Sequence, residues 1–295
     1  MKFCVLLLVA CSPCAAQSLS FAVLTDIQYG DQPTAGKRDY RASLGKLQQA
    51  VTALNARKDL AFAIQLGDLI DSRAVDLDPI LAAYNRLTTT RRHVHGNHDF
   101  SAPRETLLRR LEMPASWYEF TAPGYRFLVV DGMDLSVNPK SRASDTPQRN
   151  LALAMFDSLR AVKAANANDW NGGVSEAQLA WLRERLKSAA ANHERVIAFC
   201  HFPVLRESST PAHLLWNHEA VRRILETSPA VIAWFNGHDH AGGYAAAKGI
   251  HHLTFPGMVE SGAQNSYSVV RLYSDRIEIE GNGTAPSRTL ALATR

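Results

Sequence analysis

Val231-Ile232-Ala233-Trp234-Phe235-Asn236 runs directly into Gly237-His238-Asp239-His240. An apolar run of this length, without polar alternation, suits a β-strand covered on both faces. The turn after it offers side chains able to bind a metal or move a proton. Four other stretches are built the same way. Phe21-Ala22-Val23-Leu24 leads into Thr25-Asp26, and Phe62-Ala63-Ile64-Gln65-Leu66 leads into Gly67-Asp68. His93-Val94-His95 leads into Gly96-Asn97-His98-Asp99, and Val196-Ile197-Ala198-Phe199-Cys200 leads into His201.

Helical patterns lie between these runs. Leu44, Leu47, Val51 and Leu54 share one face at three- and four-residue spacing. Ser175-Glu176-Ala177-Gln178 has the form of a capping box, and Leu179, Leu182 and Leu186 continue it as an apolar stripe, with Trp181 read as packing. Strand–loop–helix repetition predicts an α/β fold, in which catalytic groups collect in loops at the carboxyl ends of strands. All five polar turns hold that position.

Of the 295 residues, 46% are hydrophobic and 20% charged, an ordinary globular balance. No linker, charge block or repeat divides the chain, so residues 17–295 are expected to form a single domain. The formal net charge of +4 is spread among acids and makes no basic stripe, which argues against nucleic acid as a partner. Lys2, the apolar run 3–10 and Cys14-Ala15-Ala16 have the form of a cleavable export signal peptide over residues 1–16, with the mature protein periplasmic or secreted. The run is far short of the ~20 apolar residues of a transmembrane helix. Leu8-Val9-Ala10-Cys11 also has the form of a lipoprotein processing site, which would place a lipid anchor on Cys11. Cys4, Cys11 and Cys14 fall in this segment. That leaves Cys200, at the end of an apolar run, as a buried and inert thiol with no disulfide partner.

The five strand ends supply Asp26 and Gln28, Asp68, Asn97 and His98, His201, and His238 with His240. A spacing of two puts both side chains on one side of an extended segment, so neighbouring donors point into one cavity. Glycines at 67, 96 and 237 adjoin the donors and permit tight turns and close backbone approach. Gly-Asp or Asp-x-Gln alone says little; the ordered set of five is specific.

That set resembles the calcineurin-like metallophosphoesterases, whose pattern runs Asp-x-His, Gly-Asp, Gly-Asn-His-Asp/Glu, His, Gly-His-x-His. The resemblance spans nearly all of the chain after the N-terminal segment. Gln28 stands where most of that family has histidine, and in this the chain is similar to the manganese-dependent ADP-ribose/CDP-alcohol diphosphatases. So are residues 66–71, Asp134-Leu135-Ser136-Val137, Asn171-Gly172-Gly173, Leu215-Trp216-Asn217, and residues 237–244 and 257–261. The resemblance implies a sandwich of two mixed β-sheets flanked by helices, holding two divalent metal ions. One ion would take Asp26, Gln28, Asp68 and His240, and the other Asp68, Asn97, His201 and His238, with Asp68 bridging. Two ions about 3.5–4 Å apart can hold a hydroxide between them and brace both ends of an in-line displacement. The resemblance also implies that His98 is the catalytic group facing the substrate. Asp99, next to it, is placed to orient it, as carboxylates commonly orient histidines. The implied substrate is a small-molecule nucleotide diphosphate. The amide oxygen of Gln28 is a harder donor than imidazole, which favours Mn²⁺, with Mg²⁺, iron and Zn²⁺ as alternatives.

His93, His95, His193, His213, His218, His251 and His252 lack a partner motif and read as structural. Arg38 and Arg41 could reach phosphate from the loop after Asp26, and Asn171 and Glu260 could contact the substrate. The arginines read equally well as a solvated helix start and the other two as groups that cap and brace loops, so all four stay outside the expected site. The chain departs from familiar subfamily members in shorter loops before Tyr40 and Asn171, in fewer arginines over residues 281–288, and in His213, where those members carry a cysteine. These positions are expected to shape the nucleoside pocket. Two other readings stand beside the diphosphatase: a phosphodiesterase or phosphomonoesterase on the same metal core, and a non-catalytic nucleotide or metal binder. The complete donor set and His98 favour catalysis.

Overall fold

The structure, a computed structural model, describes residues 17–138, 141 and 146–293. The expected export segment and Cys11 lie outside the described residues. The chain begins as β1 (Gln17–Leu24), α1 (Ala42–Asn55), β2 (Leu60–Gln65), α2 (Leu77–Tyr84), β3 (Thr90–His93) and α3 (Arg104–Arg110). It continues through β4 (Tyr118–Ala122), β5 (Tyr125–Val129), α4 (Pro147–Ala161), α5 (Glu176–Ala191), β6 (Arg195–Phe199), α6 (His218–Glu226) and β7 (Val231–Asn236). The last strands are β8 (Gly243–Ala247), β9 (Ile250–Thr254), β10 (Ser266–Tyr273), β11 (Arg276–Gly283) and β12 (Arg288–Ala291).

These strands form two six-stranded mixed sheets, ordered β12-β11-β10-β1-β2-β3 and β4-β5-β6-β7-β9-β8. In the first, β1, β2 and β3 run parallel; in the second, β5, β6, β7 and β9 do. Parallel neighbours present their carboxyl ends at one edge of each sheet, so the five polar turns meet there. The sheets are joined by phenylalanines: Phe21 and Phe62 of the first stack at 4.7 Å, and Phe62 meets Phe127 and Phe120 of the second edge-on at 5.1 and 5.0 Å. Each such pair contributes about 0.5–1.5 kcal/mol beyond its area burial. One large apolar cluster draws residues from both sheets and from the inner faces of the helices, including Leu47, Val51 and Leu54 of α1 and Leu179, Leu182 and Leu186 of α5.

Among the described residues no helix is long and apolar enough to cross a membrane. Cys200 is buried, and burial pushes its thiol up to about 12, so it is inert. The capping box forms only in part. Ser175 Oγ accepts from Gln178 N at 3.4 Å, but the Gln178 side chain turns inward to Asp131 instead of back to the cap.

His93 and His252 sit in this interior as neutral rings. Burial, then His95 and Arg91, push His93 down to about 3; burial, then Arg222 and His251, push His252 down to about 4. Both ring nitrogens of His252 are buried without a partner. An unfolded histidine titrates near 6.5, so between that value and the depressed one only the unfolded chain takes up the proton. Stability contributed by the neutral ring is therefore complete above about pH 6.5 and falls as pH drops, by about 1.4 kcal/mol per pH unit per histidine. His252→Leu is expected to lose less stability than the wild type between pH 7 and pH 4.5. Thermal melts across that range check it; a gap between the two proteins that does not change with pH would refute it.

Candidate metal centre

Each expected ligand sits within four residues of the end of a parallel strand. The turns that carry them are strained: Asp26, Gln28, Asp68 and His238 hold φ values of 47°, 42°, 59° and 72°. A residue other than glycine in this left-handed region costs about 1–3 kcal/mol, and such strain concentrates at functional sites. The glycines beside them are required by contact. A Cβ on Gly96 would lie 2.2 Å from Asp68 Oδ1, and one on Gly237 would lie 2.0 Å from Thr25 Oγ1.

All seven expected ligands converge. Asp68, His201 and His238 place one ligand atom each within 4.8 Å of one another. Around His201 Nε2 stand Asp68 Oδ2 at 3.2 Å, Asn97 Oδ1 at 3.1 Å and His238 Nδ1 at 3.1 Å. Asp26 Oδ1 lies 3.3 Å from His240 Nε2 and is buried without a hydrogen-bond partner. The outward nitrogens are already engaged. His201 Nδ1 bonds Leu66 O at 2.9 Å, His238 Nε2 bonds Asn171 Oδ1 at 2.9 Å, and His240 Nδ1 bonds Glu260 Oε1 at 3.0 Å. Three acceptors around one nitrogen exceed what a single proton can serve, whereas a divalent ion serves them together. The charges agree. Burial alone would lower His201 and His240, yet Asp68 raises the former to about 9, and Asp26 with Glu260 the latter to about 10. Asp68 itself, despite burial, is held well below the usual carboxylate range by His201, His98 and His238. The cluster draws positive charge, and its oxygen and imidazole donors fit Mn²⁺-type ions.

Three placements differ from the sequence reading. Gln28 turns its amide nitrogen inward, 3.1 Å from Asp68 Oδ2 and 3.2 Å from His240 Nε2, and leaves Oε1 buried without a partner. A half-turn of the amide exchanges the two atoms and brings Oε1 among the ligands. Asp99 does not orient His98. Its carboxylate accepts from the backbone N–H groups of Asp68 and Gly96 at 2.9 Å and of Leu69 at 2.7 Å, and so ties two ligand loops together. Asp71 orients His98 instead: His98 Nδ1 lies 2.9 Å from the Asp71 carbonyl oxygen and 3.2 Å from its Oδ1. Burial lowers His98, but the charges of Asp68 and Asp71 and the bonds from Asp71 raise it to about 9. The third is His213, grouped with the structural histidines although its position was also expected to shape a pocket: it lines the cavity over the site.

Asn171 and Glu260, left outside the expected site, fix the rings of His238 and His240. Arg38 reaches the same Glu260 oxygen at 3.2 Å. Their sequence trace was the similarity of residues 171–173 and 257–261 to the subfamily, which marked the stretches without showing what they touch.

A cavity of about 680 Å³ opens over the cluster, its floor Gln28, Asp68, Asn97, His98, His238 and His240. Arg38, Phe100, Met133, Trp170 and His213 form part of its wall. Buried Arg104 holds two of these: it lies over the Phe100 ring at 4.6 Å and donates to Met133 O at 2.7 Å while paired with Asp131.

A two-sheet α/β sandwich with clustered carboxylate, imidazole and amide donors at its strand ends defines a metal-dependent phosphoesterase. A model of the family described as calcineurin-like phosphoesterase matches residues 19–242. A protein of Xenopus tropicalis named manganese-dependent ADP-ribose/CDP-alcohol diphosphatase is 31% identical, covering 92% of this chain and 93% of its own. One of the same name from Oryza sativa subsp. japonica is also 31% identical, covering 89% and 91%. The crystal structure of a dimetal phosphatase from Danio rerio superposes with a TM-score of 0.87 at 29% identity, covering 94% of this chain and all of that one. The chain belongs to the calcineurin-like phosphoesterase family and is a hydrolase.

Proposed function

We propose that the protein hydrolyses the diphosphate bond of nucleotides of the ADP-ribose or CDP-alcohol type, using two divalent ions, with Mn²⁺ preferred. The observation that carries this reading is the cavity: at about 680 Å³ it extends well past the ligand cluster, with aromatic and basic walls where a phosphate alone needs none. The names of the relatives support it. Asp26, Gln28, Asp68 and His240 would hold one ion, and Asp68, Asn97, His201 and His238 the other. When bound, the pair would activate a water at neutral pH and neutralise phosphate charge.

The chain's own groups do the rest. Glu260 and Asn171 hold His240 and His238 so that one ring nitrogen of each faces inward, as outer partners of metal-binding histidines do. Asp99 keeps the loops of Asp68 and Asn97 in register. His98, bonded through Nδ1 to Asp71, presents Nε2 to the cavity, where it donates a proton to the departing phosphate oxygen. Arg38, bonded to Glu260 through Nε and also to Tyr40, offers guanidinium N–H groups to a second phosphate.

Assay of the purified protein with Mn²⁺ against ADP-ribose, CDP-choline and simple monoesters tests the reading. Release of AMP or CMP is expected. Phosphate released from monoesters alone would replace it with the phosphomonoesterase reading, and binding without turnover with the binder. Gln28→His adds a sharper check, because it exchanges the amide for a softer nitrogen donor. The variant is expected to shift its metal preference from Mn²⁺ toward Zn²⁺ and to gain relative activity on monoesters. The same metal ranking and substrate ratio in both proteins would show that Gln28 tunes neither.

A further inference from the structure

Asp239 stands between two expected ligands, His238 and His240, yet its carboxylate serves another loop. Oδ2 accepts from Thr210 N at 2.8 Å and from the hydroxyls of Thr210 and Ser209, both at 2.9 Å. An ionised carboxylate only accepts, so the single proton of the Thr210 hydroxyl is committed to Asp239. The same hydroxyl oxygen lies 2.5 Å from His213 Nδ1. With its proton spent, that oxygen accepts there and His213 Nδ1–H donates. The other nitrogen of the neutral ring, Nε2, then carries a lone pair. Among the described residues it has no hydrogen-bond partner. His213 lines the cavity, and its ring centroid lies 5.1 Å from those of Trp170 and His238, Trp170 also lying 5.1 Å from His238. An aromatic wall bearing a fixed acceptor thus stands beside a metal ligand.

We infer that His213 is a specificity-determining residue whose Nε2 accepts a hydrogen bond from the exocyclic amine of a nucleobase lying against Trp170, so that the site favours adenine and cytosine over hypoxanthine and uracil. The inference rests on the diphosphatase reading for its substrate. Adenine and cytosine differ in size and share an amine beside a ring nitrogen, so an acceptor on a wall recognises both where a closed pocket would fit one. A keto oxygen in that place sets acceptor against acceptor. Exchanging tautomers would keep the ring's bond to Thr210 only by drawing the Thr210 proton away from Asp239, leaving two oxygens 2.9 Å apart with no proton between them. His213 is part-exposed, with 32% of its side chain accessible. Water therefore softens the penalty to about tenfold, well short of the 10⁴–10⁵ of a fully buried polar match.

The test is the dissociation constants of AMP and IMP for the Mn²⁺-loaded protein by titration calorimetry, together with kcat/KM for ADP-ribose and the hypoxanthine analogue IDP-ribose. Wild type is expected to favour the amino member of each pair by about tenfold. His213→Phe keeps an aromatic ring without the acceptor and should bring both ratios within about twofold, mainly by weakening the amino ligand. Thr210→Val should also flatten the ratios by freeing the tautomer, and Thr210→Ser should preserve them. A role confined to loop structure would weaken AMP and IMP together and leave the ratio alone. Equal or undetectable binding of AMP and IMP to wild type, or a tenfold ratio surviving in His213→Phe, overturns the inference. Failure to cleave ADP-ribose while AMP still binds ahead of IMP through His213 would remove the diphosphatase reading and leave this one standing.

Discussion

Asp68→Asn is expected to abolish turnover, by roughly 10³-fold or more, and to lower occupancy of both metal positions together. The carboxylate is buried at the centre of the cluster, its Oδ2 within 3.2 Å of His201 Nε2 and 3.1 Å of Gln28 Nε2. Asp26 Oδ1 also reaches toward the second set of donors but lies farther off, 4.0 Å from His201 Nε2. An asparagine keeps the shape, and its oxygen can still accept from His98 N, now at 2.8 Å from Oδ1. What it removes is one negative charge and one strong donor, from a site whose ions each supply several kcal/mol of charge stabilisation, at 1.36 kcal/mol per factor of ten in rate. Metal content per chain, measured beside activity, decides the matter. Full occupancy of two ions with undiminished turnover would show that Asp68 does not bridge.

The part of this architecture legible in the sequence is the part written locally. Most of the parallel strands that carry the site are short apolar runs; β3 (Thr90–His93) is the exception. Each candidate side chain follows its strand within a few residues, so the five strand ends and the side chains they offer could be read without knowing which strands pair. Their division into expected ligands and His98 came from the resemblance. The division into two sheets was available only through family resemblance. It depends on β10 returning from late in the chain to lie antiparallel beside β1, a pairing across more than half the sequence, with β11 then antiparallel beside β10. Asp99 misled because proximity in sequence to His98 suggested contact. The turn at His98–Ser101 carries the carboxylate away from the ring and into the backbone of the Asp68 loop, while the isolated bridge between Tyr29 and Ile70 brings Asp71 up instead. What Glu260 and Asn171 touch was hidden for a related reason: their partners come from turns assembled by other strands. The left-handed backbone at Asp26, Gln28, Asp68 and His238 left no trace either, because only a few per cent of non-glycine residues adopt it, even with Asp and His enriched among them, and nothing in their neighbours announces it.

His98→Ala is expected to retain both ions and to lose roughly 10²–10⁴ in kcat, the usual contribution of a positioned acid. The ring belongs to the cavity floor and not to the ligand set, since its Nδ1 is spent on Asp71 and its neighbour Asn97 supplies the donor toward His201. Two further carboxylate variants separate orientation from scaffold. Asp71→Asn removes the charge 3.2 Å from Nδ1 but leaves the backbone carbonyl bond, so kcat should fall by only about tenfold with KM and metal content little changed. Asp99→Asn should act on the fold. Whichever way the amide sits, its NH₂ meets either the N–H of Leu69 or those of Asp68 and Gly96, donor against donor, and each buried N–H left unpaired costs about 1–3 kcal/mol. That variant should therefore melt earlier and hold its ions less tightly. Unfolding midpoints, metal content and kcat, measured for all three, distinguish the roles. A fall in kcat for Asp99→Asn with unchanged stability and metal content, and no effect of Asp71→Asn, would restore Asp99 as the residue that orients His98.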